Sequence, residues 1–176
     1  MLRSTSVKQE AWKPVKLLAK QPVKDKIISL ECDTSGRIAV ALTKSAIYIF
    51  NERELLNTIE IAEGYQLKIC SNLENIFVLT SESLLCFDYW GKEKWSYKSD
   101  GLIDDFTIDP LGKNIVLRGE KFVVFLNRFG DFEADYSFSD SLVRTHFTSR
   151  GNFLVGSSNQ IYLLNPDNKF DKLLEI

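Results

Sequence analysis

His146 is the only histidine in the 176-residue chain. Paired-imidazole metal centres and His-Glu-x-x-His helices are therefore excluded, and one side chain remains that can act as a base near neutral pH. It sits in Arg144-Thr145-His146-Phe147, an alternating stretch that reads as a strand and gives the imidazole a structural or solvent-facing place. The three cysteines, Cys32, Cys70 and Cys86, fall in apolar strand contexts and form no Cys-x-x-Cys pair. Cys32 and Cys70 take matching places in neighbouring repeats, where they are expected to be small apolar fillers of a core. Asp104 and Asp105 look like a carboxylate pair, but adjacent residues of a strand point to opposite faces, so a shared acid–base site is not expected. The sequence contains no phosphate-binding glycine loop, Gly-x-Ser-x-Gly elbow or EF-hand loop. These residues predict neither an enzyme nor a metal or cofactor site.

What the side chains do offer is recognition. Ser29, Leu67, Asp105 and Arg144 are the third residues of four corresponding segments, and are expected to share one register near the start of each segment. Asp105 and Arg144 are the charged members of that row, set either to solvate a polar channel or to hold a ligand. Trp90, Phe129 and Phe132 fall in or beside turns, where a large aromatic packs between repeats or anchors a partner. Residues 1–26 carry seven basic residues against two acidic ones, a net charge of +5, while the rest carries −7. Lys13, Lys16 and Lys20 of this arm are candidates for contact with a polyanion such as nucleic acid. Their wide spacing, without clustered arginines or stacking aromatics, fits a solvated tail better.

The elements that position these residues come from a repeat. Ile47-Tyr48-Ile49-Phe50-Asn51, Leu84-Leu85-Cys86-Phe87-Asp88, Val123-Val124-Phe125-Leu126-Asn127 and Ile161-Tyr162-Leu163-Leu164-Asn165 are versions of one strand, and their terminal Asn or Asp recurs at steps of 37, 39 and 38 residues. A period this regular makes the chain a tandem array. Each unit starts with a ten-residue block at Ile27, Tyr65, Ile103 or Leu142. The blocks alternate apolar and polar residues and end in turn chemistry such as Asp33-Thr34-Ser35-Gly36 or Asp109-Pro110-Leu111-Gly112. The second block lacks the glycine. Continuous apolar runs follow (Ile38–Leu42, Ile76–Thr80, Ile115–Arg118, Phe153–Val155), as strands buried on both faces require. The recurring strand and a more polar fourth one complete the unit. The chain is therefore read as all-β: an arm over 1–26, then four four-stranded antiparallel units at about 27–64, 65–101, 102–141 and 142–176.

Such a repeat resembles the blade of a β-propeller. The register Ile103-x-x-Phe106-x-Ile108-Asp109-Pro110-x-Gly112, followed by an apolar strand and Val-x-Phe-Leu-Asn, is similar to WD-repeat and quinoprotein-like (PQQ-repeat) propellers. Gly91-Lys92-Glu93-Lys94-Trp95 is similar to the quinoprotein turn in which Gly-Lys-x-x-Trp joins the last two strands. Leu55, Phe132 and Lys172 are the residues the other repeats set against Trp95, which is expected to be a packing residue. The Gly-His and Trp-Asp dipeptides of WD repeats are absent.

The resemblance implies a scaffold for protein–protein interaction. Four blades close only with strong curvature, and an open half-ring leaves two apolar blade faces in water. Two chains can form an eight-bladed ring, the half-ring can dock on another protein, or Val15–Lys20 can enter the last blade as a closing strand. Completion by a partner, as a complex subunit or homodimer, is the expectation. The alternatives are a nucleic-acid-associated factor using the arm and a ligand-binding propeller acting at its channel. An odd number of cysteines, no Asn-x-Ser/Thr sequon, no apolar leader and no run of about 20 apolar residues predict a cytoplasmic protein without a membrane span.

Overall fold

The alternating and continuous apolar runs fold into four separate antiparallel meanders. The structure is a computed structural model that describes residues 22–52, 54–149, 151–165 and 168–171. Sheet 1 contains β1 (Ile27–Cys32), β2 (Ile38–Thr43), β3 (Ala46–Asn51) and β4 (Leu55–Glu60) in that order. Sheet 2 contains β5 (Gly64–Cys70), β6 (Asn75–Thr80), β7 (Ser83–Asp88) and β8 (Glu93–Lys98). Sheet 3 contains β9 (Asp105–Ile108), β10 (Asn114–Arg118), β11 (Phe122–Asn127) and β12 (Phe132–Ser137). Sheet 4 contains β13 (Leu142–Phe147), β14 (Phe153–Ser157), β15 (Ile161–Asn165) and β16 (Asn168–Asp171). No α-helix occurs among the described residues, and no helix is long and apolar enough to cross a membrane. The closing strand expected at 15–20 lies outside the described residues.

Register explains how the sheets stack. Val40 pairs with Ile49 and Leu42 with Ile47, so these four side chains share one face of sheet 1, and they pack against Leu67, Ile76, Val78 and Phe87 of sheet 2. The other face of sheet 2 places Phe77, Leu79, Leu84 and Cys86 against Phe106, Ile115, Leu117 and Leu126 of sheet 3. The far face of sheet 3 places Val116, Val123 and Phe125 against Phe147, Phe153 and Val155 of sheet 4. The middle strands of sheets 2 and 3 feed two seams each, which is why their central residues, Ile76–Leu79 and Ile115–Leu117, are apolar without a break. The polar outer strands alternate instead, with Trp95 and Tyr97 half-buried between exposed neighbours.

Side chains fix the turns. The recurring terminal Asn or Asp is a turn acceptor: Asp88 Oδ1 accepts from the N–H groups of Trp90 and Lys92 at 2.9 Å, and Asn127 Oδ1 from Phe129 and Asp131. Gly91 and Gly130 then take φ of 84° and 85°, a region that favours glycine. A methyl group at Gly130 would also lie 2.6 Å from the Trp95 ring.

Two expectations about the first strands need correction. Cys32 is exposed, not buried, and Leu30 beside it is 65% exposed. Leu67 and Phe106, the counterparts of Leu30, are covered by the preceding sheet, whereas among the described residues no sheet precedes sheet 1. Cys70 is not the register mate of Cys32 either. Cys32 pairs with Ala39 and Ile69 with the corresponding Ile76, so Ile69 matches Cys32 and Cys70 matches Asp33. The slip arises at the glycine-free turn. There a 3-10 turn, Ser71–Leu73, ends in Glu74 at φ 51°, one residue later than the matching glycines.

Candidate functional site

The first strand of each sheet carries two rows of polar side chains on one face. Ser29, Gln66, Asp105 and Arg144 pair with Leu42, Leu79, Arg118 and Gly156, which are equivalent positions of the second strands. Gln66 thus fills the place expected for Leu67, which is buried in the seam between sheets 1 and 2. The one-residue slip at the second turn hid this, and only the pairing of Gln66 with Leu79 reveals it. Glu31, Lys68, Thr107 and His146 form the second row. His146 is exposed.

The rows differ in how tightly they are held. Gln66 Oε1 accepts from the Phe106 N–H at 3.2 Å, joining sheets 2 and 3. The Lys68 ammonium lies 5.2 Å from the centroid of the Phe106 ring, within cation–π range. Burial pushes its pKa down, and the carboxylates of Asp105 and Glu31 oppose that. Asp104 instead pairs with the Arg118 guanidinium at 3.4 Å, and Arg118 also donates to the Leu142 carbonyl at 3.3 Å, joining sheets 3 and 4. The two aspartates therefore serve different cations. Asp105 is half-buried and Arg144 exposed, and no ion pair links them among the described residues. The rows adjoin a cleft of about 280 Å³ lined by Lys68, Ser71, Thr107 and Asp109 among others.

A second candidate surface follows the turns between the third and outermost strands. Trp90 is 74% exposed and Phe129 61% exposed, so neither packs between repeats. They take equivalent places, each just before a positive-φ glycine. The preceding sheet holds both turns: Asn57 donates to the Trp90 carbonyl at 2.8 Å, and Trp95 Nε1 to the Arg128 carbonyl at 3.2 Å. Asn57 pairs with Ile49, Trp95 with Cys86 and Ala134 with Phe125, so Asn57 and Ala134 are the register mates of Trp95. Leu55 and Phe132 are not, because each stands at its strand's start. The Arg128 guanidinium lies 4.6 Å from the Phe129 ring centroid. Phe129, Arg128, Trp95, Lys94 and Leu73 border a groove of about 440 Å³. Phe132 is 55% exposed and begins β12. Lys13, Lys16 and Lys20 lie outside the described residues.

The thiols divide sharply. Burial raises the pKa of Cys86 to about 12, and burial also raises that of Cys70. Both stay protonated near neutrality, and the thiolate is the nucleophile. Native protein at pH 8 is therefore expected to take up one equivalent of an alkylating reagent, at exposed Cys32, and three after unfolding. Peptide mapping of the labelled site checks this; modification of Cys86 in the native state would contradict the burial.

Comparison with protein-family models and with curated proteins gives no match for this chain.

Proposed function

We propose that the chain is a non-catalytic protein-interaction module of the β-propeller type, working as a subunit of a larger cytoplasmic assembly. One observation carries this reading. In sheet 1, Val40, Leu42, Ile47 and Ile49 face the next sheet and are 0% exposed. The same register in sheet 4 holds Leu154, Gly156, Ile161 and Leu163. Ile161 is 45% exposed, and none of the three large residues belongs to a core cluster among the described residues. A face with the composition of an inter-sheet seam and, among the described residues, no covering sheet fits a docking surface.

A different protein suits this face better than a second copy. A ring of two copies needs sheet 4 of one to lie on the free face of sheet 1 of the other. There Ala41, Ala46 and Tyr48 already pack against Val23, and the Lys24 N–H donates to the Tyr48 hydroxyl at 3.3 Å. The test is sedimentation equilibrium of the full chain together with binding of a dye that reports exposed apolar surface, repeated on Ile161→Glu/Leu163→Glu. A monomer whose dye binding is lost in the variant, with the unfolding midpoint unchanged, is the expected result. A concentration-independent dimer would give the face to a second copy. A monomer whose dye binding is the same in both proteins would remove sheet 4 from the proposal.

A further inference from the structure

An open pocket lies at the outer edge of the seam between sheets 2 and 3, where Tyr97 and Phe122 pack against the core and Phe132, Asp100 and Asp135 stand exposed. Its volume is about 520 Å³, and Tyr97, Phe122, Phe132, Asp100 and Asp135 contribute its rings and its charge. Among the described residues no lysine or arginine lines it. Two lysines adjoin lining residues in sequence: Lys98, beside Tyr97, is turned to Glu82 at 3.4 Å, and Lys121, beside Phe122, is exposed and outside the lining.

The walls are built firmly. The Phe122 ring lies so close to Gly101 and Gly119 that a Cβ at either would come within 2.8 Å and 2.2 Å of it. Only glycine at both places lets the ring stand where it does. Asp135 pairs with Val124 in the strand ladder, and the pocket lies between this pair and the Tyr97 strand. Both carboxylates act on Tyr97: burial pushes the phenol pKa up, and Asp100 and Asp135 push it further. The ring is thus neutral at physiological pH, with its face available to a cation.

Three aromatic rings and two carboxylates without a counter-cation repel anions and give a neutral ligand nothing for the charge. A divalent metal is a poor fit, since no group of three or more metal-ligating side chains exists among the described residues. The guanidinium is the group that uses both features. It is planar and weakly hydrated, stacks on aromatic faces, and presents a fork of donors to a carboxylate. We propose that this pocket receives the side chain of an arginine carried on a protein partner. The inference rests on the interaction-module reading, and places a second contact on a surface separate from sheet 4.

The test is a titration of the full chain, followed by amide resonances, with acetyl-Gly-Arg-Gly-amide and its lysine and glutamate counterparts. The arginine peptide is expected to give saturable shifts confined to residues 97–101, 122–124 and 132–137. The lysine peptide should bind several-fold more weakly, and the glutamate peptide not at all. Asp100→Asn/Asp135→Asn should weaken binding by roughly tenfold or more while leaving the other resonances in place, and Phe132→Ala should weaken it without unfolding the strand it begins. Absence of saturable shifts at these residues would overturn the proposal, and equal binding of the lysine peptide would overturn the guanidinium assignment. Movement of the same resonances in Arg3→Gln without peptide would assign the pocket to the chain's own residue 3 instead of a partner. Failure of sheet 4 as a docking face is read separately: Ile161→Glu/Leu163→Glu should bind the arginine peptide unchanged.

Discussion

Replacing Phe77 by alanine is expected to lower the folding free energy by about 4 kcal/mol, measured by urea unfolding at equilibrium. Phe77 is 0% exposed and lies in the seam of sheets 2 and 3. Its ring centroid is 5.8 Å from that of Trp95 and 6.5 Å from that of Phe106, with interplanar angles of 57° and 52°. Truncation removes a benzyl group that touches both sheets. The backbone of β6 cannot collapse into the space, because β6 is hydrogen-bonded on both sides, to β5 and β7. The void therefore stays largely open, and both the transfer and cavity costs are felt. Against a domain stability of about 5–15 kcal/mol this is a large fraction. Trp95→Ala should cost less, since Trp95 is only half-buried. A double-mutant cycle should return a coupling of about 1 kcal/mol for the ring pair. Additive losses would mean that Trp95 matters chiefly through its bond to Arg128, not through Phe77.

The seam that makes Phe77 costly was legible in the residues at the level of strands and not at the level of faces. Period-2 alternation and the recurring Asn or Asp locate fifteen of the sixteen strands, because the centre of each middle strand is apolar and each third strand ends on Asn or Asp; the last strand, expected at 172–176, forms at Asn168–Asp171 instead. The acceptor was a good ruler for a physical reason: its oxygen organises the turn, so its position cannot drift. The first strands gave a weaker ruler. They were aligned on their turn glycines, and sheet 2 has none. The left-handed residue at Glu74 puts sheet 2 one residue out of that alignment, so Leu67 falls in the seam and not in the channel row, since a register shifted by one exchanges the two faces. The same shift paired Cys32 with Cys70. The exposure of Cys32 and Leu30 has a different origin: their sequence is that of a core strand, and among the described residues no sheet lies before sheet 1 to cover them.

Of the inter-sheet pocket the sequence shows Phe132, at the start of a repeat's outer strand, as a ring beside a turn. It does not show Asp135 and Phe122, because no local pattern reports which residues a neighbouring repeat will set opposite. The same limit hid Asn57, which shares only an N–H donor with Trp95 yet holds the next sheet's turn from the same register. Repeats that keep a backbone position while changing the side chain defeat alignment by residue type. The hydrogen-bond requirement survives, and the residue that meets it does not.

That requirement sets the second large effect. Asp109→Ala is expected to destabilise the chain by about 3 kcal/mol, with the urea m-value unchanged. Asp109 is 7% exposed, and its carboxylate accepts four hydrogen bonds of 2.8–2.9 Å: Oδ1 from the N–H groups of Leu111 and Lys113, and Oδ2 from the N–H and side-chain amide of Asn114. Alanine leaves all four donors without this acceptor, and bonds to an ionised acceptor are worth more than neutral ones. Gly112, at φ 71°, packs against the Cys70 sulfur and Leu73, where a Cβ would come within 2.6 Å and 2.9 Å. Loosening the Asp109 turn therefore releases the end of sheet 2 as well as that of sheet 3. Asp109→Asn should recover about half the loss, since an amide oxygen can still serve the Leu111 and Lys113 donors while its NH₂ meets the Asn114 donors. Sheet 4 provides the comparison. Thr148 stands at the same register and, among the described residues, accepts one side-chain bond, from the Asn152 N–H at 3.1 Å, so Thr148→Ala should cost about 1 kcal/mol. Equal losses at Asp109 and Thr148 would show that the turn is held by its backbone bonds and that the carboxylate adds nothing.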